Sequence, residues 1–226
     1  MTPAFMHAIP LSSQVINLCA ALMLLLAFAM LAQRRVLTLI NLFMMQGFVL
    51  FVSTLIVALT TNQHELLVSA GITLVLKVFA LPYILHRLIR KLSVKWDIET
   101  LLNIPTTMLV GIALVVIAFN VAQPISQLSG TITRATIGIA LACVLLAFLM
   151  MITRSKAVPQ VIAFLAMENG LFFAATSATY GMPMVVELGI ALDAMVGMVI
   201  VGVFFLHIRQ QFDSLDIRQM ERMKEE

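Results

Sequence analysis

Apolar residues along this chain collect into long runs separated by short polar breaks. Seven runs are long enough to cross a bilayer, at about 14–33, 36–59, 65–86, 104–122, 133–153, 157–179 and 185–207. A spanning helix needs about 20 apolar residues. The breaks read QRR, TTNQH, RLIRKLSVKWDIETLLN, QPISQLSGTI, TRSK and YGMPM, and several contain Gly, Pro or Asn. The longest polar stretches, around 86–104 and after 207, are too short to bury a core of their own. The pattern predicts an all-α polytopic membrane protein with seven transmembrane helices and no soluble domain.

Composition agrees. The 226 residues are 62% hydrophobic and 11% charged, with mean hydropathy +1.06. Soluble domains carry about a quarter charged residues. The net charge of +3 comes mostly from loops and does not suggest nucleic acid. The start of the chain, MTPAFMHAIPLSSQ, has no basic region, and the apolar run after it exceeds a signal-peptide core. It is expected to be a permanent first helix.

Lys and Arg fix the expected orientation. With the N-terminus outside, the cytoplasmic side receives Arg34, Arg35, Arg87, Arg90, Lys91, Lys95, Arg154, Lys156, Arg209, Arg218, Arg222 and Lys224. The other side receives Arg134. Positive-inside asymmetry therefore predicts an N-out, C-in multi-pass protein of the cell (inner) membrane. One cation is left over: Lys77, in TLVLKVFALPY, falls near the middle of the third helix.

A shift of 122 residues superimposes the halves. Arg34 meets Lys156, Gln46 meets Glu168, Glu65 meets Glu187 and Arg87 meets Arg209. Polar residues inside apolar helices are few, so their coincidence is more informative than matches such as Val36/Val158. We read residues 1–103 and 133–226 as two three-helix units, joined by a connecting helix and loop over 104–132. An odd connecting helix makes the repeat parallel. The plain alternative is an accidental match of apolar triplets.

Three ionisable residues fall deep in the spans: Lys77, Glu168 and Asp193. A charge at the bilayer centre costs about 2.5–3.5 kcal/mol on insertion scales. Such groups face the protein interior or a wet cavity and mark ion or proton routes. Glu168 is followed by Asn169 and Gly170, and Gly170 permits close approach of a neighbouring helix. Asp193 lies one turn before Gly197, on a face suited to close packing. Glu187 lies nearer the outer surface, where a helix start also favours a carboxylate for structural reasons alone. Glu65, Ser69, Thr73 and Lys77 are four residues apart and form one polar stripe on a helix, with Pro82 one turn further as a potential kink. The stripe suggests a hydrated path or a seam against a polar partner. For Glu168 the structural alternative is a protonated hydrogen-bonding acid, and for Lys77 an ion pair with a buried carboxylate.

Nothing else points to chemistry. Cys19 and Cys143 sit in apolar runs without metal-ligand spacing and read as small core residues. His7, His64, His86 and His207 form no HxxxH pair, and there is no CxxC. No haem, zinc or iron–sulfur site is expected, nor a nucleophile–base pair or a phosphate loop.

The order of features in the second half resembles a known arrangement. A short basic loop, a helix with LAMENG, a helix with ALDAMVG and a tail FDSLDIRQM together resemble the K-type subunit of respiratory complex I and the C-type subunit of multi-subunit cation/proton antiporters. With LKVFALP, MENG and VELGIALDAM, the whole pattern resembles the hydrogenase-4 component E family, membrane subunits of group 4 nickel–iron hydrogenase and formate hydrogenlyase-type complexes. The resemblance covers most of 34–217 and is strongest over 156–217. It implies a subunit without a cofactor or catalytic centre of its own, within an oxidoreductase complex. Its partners would be a membrane-anchor subunit of the hydrogenase module and antiporter-like membrane subunits. Glu168 and Asp193 match the family's two embedded carboxylates, Asp193 as a shorter acid. In the first half Gln46 and Gly71 occupy the corresponding positions, so that half has no such acids and has Lys77 instead. The expected ion path comprises Glu168, Asp193 and Lys77, with Glu187 and Glu65 toward the outer side. Two other readings stay open: a structural scaffold of the membrane arm without an ion path, and a C-type subunit of an antiporter complex. A stand-alone transporter is disfavoured by the short loops and the lack of a substrate site.

Overall fold

The computed structural model describes residues 11–62, 64–92, 103–126, 131–179 and 197. Every regular element among them is helical. They are α1 (Leu11–Ala32), α2 (Val36–Thr61), α3 (His64–Thr73), a π-helical segment (Leu74–Ala80), α4 (Leu81–Leu92), α5 (Ile104–Ser126), α6 (Thr131–Thr153) and α7 (Ala157–Thr179). The segments from α3 through α4 form one continuous span, so the described residues contain six helices long and apolar enough to cross a membrane. The chain is a polytopic helical membrane protein. Its seventh expected helix, 185–207, lies outside the described residues apart from Gly197. The six spans belong to one compact unit, Met1–Ile190, and Gly197 belongs to a second, Ala191–Glu226.

The helices follow the apolar runs because a bilayer offers backbone groups no hydrogen-bond partners, so each span must satisfy its own. Twenty-two residues, the length of α1, reach about 33 Å, close to the thickness of a hydrocarbon core. Polar breaks end the spans. Helix α2 stops at Asn62, whose φ of 53° places it in the left-handed region. Asn tolerates that conformation better than most side chains, and it terminates the helix.

Helix α1 packs against α2, α5 and α6, while α7 packs against α6 and α2. The third span lies against α2. Small residues are buried on both helices: Ala140, Cys143 and Ala147 on α6, Ala163 and Ala166 on α7. Small side chains bring backbones together, which is how helices gain contact where the surrounding lipid is as apolar as the interface. At Gly170 a Cβ would stand 3.2 Å from the Val144 backbone nitrogen and 3.0 Å from Val144 Cγ2. Cys19 and Cys143 are both buried free thiols. Helix α5 shows a largely apolar exposed face that includes Leu109, Ile112 and Val116.

The third span departs from the simple helix expected over 65–86. Seven residues in its middle are π-helical, and Leu81 N–H donates to the Leu76 carbonyl, five residues back. Pro82 follows directly. A proline in mid-helix lacks a donor and crowds the preceding turn, and a local π turn is one way membrane helices re-satisfy the disturbed backbone. The result is a widened turn centred on Lys77 rather than only a kink at Pro82.

Candidate functional site

The π-helical segment turns Lys77 inward, where it is 1% exposed. Glu168, the middle residue of the 23-residue α7, comes to meet it and is 3% exposed. Lys77 Nζ donates to Glu168 Oε1 at 3.3 Å. One turn along α7, the Phe172 ring lies under the ammonium, 5.5 Å from Nζ to its centroid. That geometry suits a cation–π contact, which is strongest away from water. Gly47 of α2 closes the other side: a Cβ there would lie 3.2 Å from Lys77 Cβ and 3.4 Å from the Lys77 carbonyl oxygen. The lysine is thus held between α2 and α7, and the absent side chain at position 47 lets the helices come this close.

Beside the ion pair is a layer of two amides. Asn169 Nδ2 donates to Gln46 Oε1 at 3.3 Å, and both residues are fully buried. Gln46 Nε2 and Asn169 Oδ1 make no hydrogen bond among the described residues. Ser69 and Thr73, the expected stripe on the third span, are buried at 1% and 2% exposure. Among the described residues the Ser69 hydroxyl has no partner, and neither does that of Ser53 on α2. Thr54 and Thr176 instead turn their hydroxyls back to the carbonyls of Leu50 and Phe172. The interior between α2, α7 and the third span therefore holds a concentrated set of polar groups, inside a structure otherwise packed with apolar side chains.

Removing two charges from water costs several kcal/mol each, and their mutual attraction roughly offsets this at best. A hydrophobic pair of similar volume would hold the helices at least as well. Cost without a clear gain in stability is the usual mark of a functional charge in a membrane interior.

Comparison with known proteins gives a consistent but distant signal. No protein-family model and no solved structure matches the chain. It is similar to an uncharacterized protein of Mycobacterium tuberculosis, 29% identical over 204 residues, which cover 89% of this chain and 93% of that protein. It is also similar to hydrogenase-4 component E of Escherichia coli and of Shigella flexneri. Each is 22% identical over 161 residues, covering 71% of this chain and 74% of the relative.

The other expected site residues divide into three groups. Glu65 lies in the first turn of α3, with its side chain outside the described residues. Glu187 and Asp193 lie outside them altogether. Gly197 is described only as a helical residue, and the packed face expected for it falls on residues outside the described set. Among the described residues no group of three His, Cys, Asp or Glu gathers as metal ligands.

The residues not singled out from sequence include Gly47 and Phe172, which shape the lysine's surroundings. Under the 122-residue shift Gly47 falls on Asn169, so the repeat carried no signal for a small residue there. A second is Arg154, counted among the cytoplasmic loop cations. It is 1% exposed, and its Nη2 donates to the Leu31 carbonyl at 2.8 Å and the Met30 carbonyl at 3.3 Å. Those carbonyls end α1, which has no basic residue in its own last turn. A cation there complements the negative end of the helix dipole. Burial lowers the guanidinium to about 10, so it stays charged at neutral pH. Gln160 Nε2 secures the segment by donating to the Arg154 carbonyl at 2.8 Å.

Proposed function

We propose that this chain is a membrane-arm subunit of a hydrogenase-type complex, in which a buried lysine–carboxylate pair lies on a proton path. The observation that carries the reading is the Lys77–Glu168 pair, buried and at the middle of α7. The similarity to hydrogenase-4 component E supports the class of complex. The partners are a membrane anchor of the hydrogenase module and antiporter-like membrane subunits, in the cell membrane with the N-terminus outside.

Glu168 is the proton acceptor in this scheme. When it takes up a proton, the attraction between Glu168 and Lys77 is lost. Lys77 then passes a proton toward Thr73 and Ser69. The reverse step restores the pair. Glu65 continues the stripe outward from Ser69. Asp193 and Glu187 provide the onward acid positions of the second unit. No bond other than O–H and N–H is made or broken.

The packing of α1 on α6 and of α2 on α7 supports the two-unit reading, because each pair is related by the 122-residue shift. The test is proton uptake into liposomes holding the assembled complex, followed with a pH-sensitive dye. Glu168→Gln and Lys77→Met are each expected to abolish coupled uptake while the complex still assembles. Unchanged uptake in either assembled variant overturns the path. The scaffold reading draws on the same pair, which also fastens the third span to α7; the double variant developed in the Discussion separates the two.

A further inference from the structure

We infer that the outer face of the third span binds an anionic phospholipid, independently of the proton path. A groove of about 570 Å³ runs along this face, walled by Met44 of α2 together with Val78 and Pro82. Phe79, Tyr83 and Arg87 complete it, with His86 beside them. Phe79 is 63% exposed and Tyr83 66% exposed, and Arg87 is exposed as well. Lys77 is only two residues before Phe79, yet it is buried. The span thus turns one stripe to the interior and another outward.

The occupant follows from the order of the outward stripe. Phe79, Tyr83 and Arg87 recur every four residues, so they line one face about 6 Å apart along the axis. Along that line the chemistry passes from a hydrocarbon ring, to a phenol, to a guanidinium. A phospholipid passes in the same sequence from acyl chain, to glycerol esters, to phosphate. Tyrosine favours the interfacial level, where its ring meets chains and its hydroxyl meets headgroups. Arginine grips phosphate with two parallel hydrogen bonds. The preference for a net anionic lipid comes from charge: RLIRK, 87–91, places three cations in five residues at this end of the span. Basic pockets at the cytoplasmic ends of membrane helices attract anionic headgroups in this way. His86 Nδ1 lies 2.9 Å from the Pro82 carbonyl, which fixes the imidazole against the groove wall.

The probes are phosphatidylglycerol and phosphatidylcholine with identical chains. They are titrated against the full chain, purified with whatever subunits stay bound, and read by native mass spectrometry. Phosphatidylglycerol is expected to bind more tightly. Arg87→Gln should weaken it about five-fold, the loss of one interfacial charge contact, and leave phosphatidylcholine unchanged. Arg34→Gln, which removes an exposed cation elsewhere, should change neither by as much as two-fold. Equal affinity for the two lipids, or an equal loss in Arg34→Gln, overturns the site. A photoreactive amino acid at position 79 supplies the second readout in native membranes. Crosslinking to lipid supports the inference, and crosslinking chiefly to a polypeptide overturns it by making the groove a subunit interface.

Discussion

The Lys77–Glu168 pair can be tested for coupling and for purpose in one double-mutant cycle. Lys77→Met keeps the length of the side chain and removes its charge, while Glu168→Gln keeps the shape and removes the acid. At 1% and 3% exposure, each single change removes the oppositely charged group 3.3 Å from a buried charge. Breaking one side of a buried pair costs about 3–5 kcal/mol, whereas replacing both sides is close to neutral. The double variant should therefore unfold within about 1 kcal/mol of the parent. The sum of the singles should exceed the double by at least about 3 kcal/mol, far above the roughly 0.5 kcal/mol of independent sites. Unfolding in mixed micelles, followed by circular dichroism, measures all four corners. Additive costs would refute the claimed pairing. The same four proteins then go into the complex for proton uptake. If the double variant regains stability but not uptake, the charges serve transport. If it regains both, the pair is a structural fastening and the proton-path proposal fails.

Three further outcomes follow from the packing. Gly170→Leu drives a side chain into Val144, where even a Cβ would lie 3.2 Å from backbone nitrogen, so it should destabilise by about 1–3 kcal/mol and lower the yield of folded protein. Gly71→Leu is its control, since a Cβ there meets nothing within 4 Å among the described residues, and it should change folded yield little. Arg154→Met removes the donors that end α1 at Met30 and Leu31 and should cost about 1.5–3 kcal/mol in the unfolding assay; Arg154→Lys should recover only part, because an ammonium lacks the planar fork. Gln46→Leu leaves Asn169 without its partner and should cost about 1–3 kcal/mol, most of it recovered in a Gln46→Leu/Asn169→Leu double variant, as measured by the same unfolding transition.

Much of the fold was legible because a bilayer imposes a length on every span, and length survives errors in detail. The run read as 157–179 is α7, Ala157–Thr179, and the run read as 36–59 is α2, Val36–Thr61. The third span was read with the right extent but the wrong geometry. No periodicity in TLVLKVFALPY distinguishes a π turn from an α turn when nearly every position is apolar; only Pro82 hinted at a disturbance. The buried residues Ser69, Thr73 and Lys77 could be read as one face because four-residue spacing carries over the α segment. Which group they face depends on how three helices dock, and that is decided by small residues such as Gly47, whose close contact with Lys77 has no local signature. Arg154 was hidden for a related reason. A loop arginine next to a basic break reads as a surface cation, and its burial follows only from the approach of α6 to the end of α1.

The repeat sharpens why the pair deserves a functional reading. Under the proposed duplication, Glu168 corresponds to Gln46 and Lys77 to Val199. Each unit therefore contributes one charge, and the equivalent position in the other unit is neutral. Gln46 still lies in the shared polar layer, hydrogen-bonded to Asn169, so an amide satisfies the architecture where a carboxylate stands in the second unit. A three-helix unit of this fold can thus be built without the acid or the cation. Under that reading the Lys77–Glu168 pair bridges the two units, between the third span of one and the second helix of the other. Hydrogen-bonding amides would have held that junction at lower desolvation cost than two charges. The choice of charges there supports the proposed proton path, because a carboxyl group can change its protonation state and an amide at neutral pH does not.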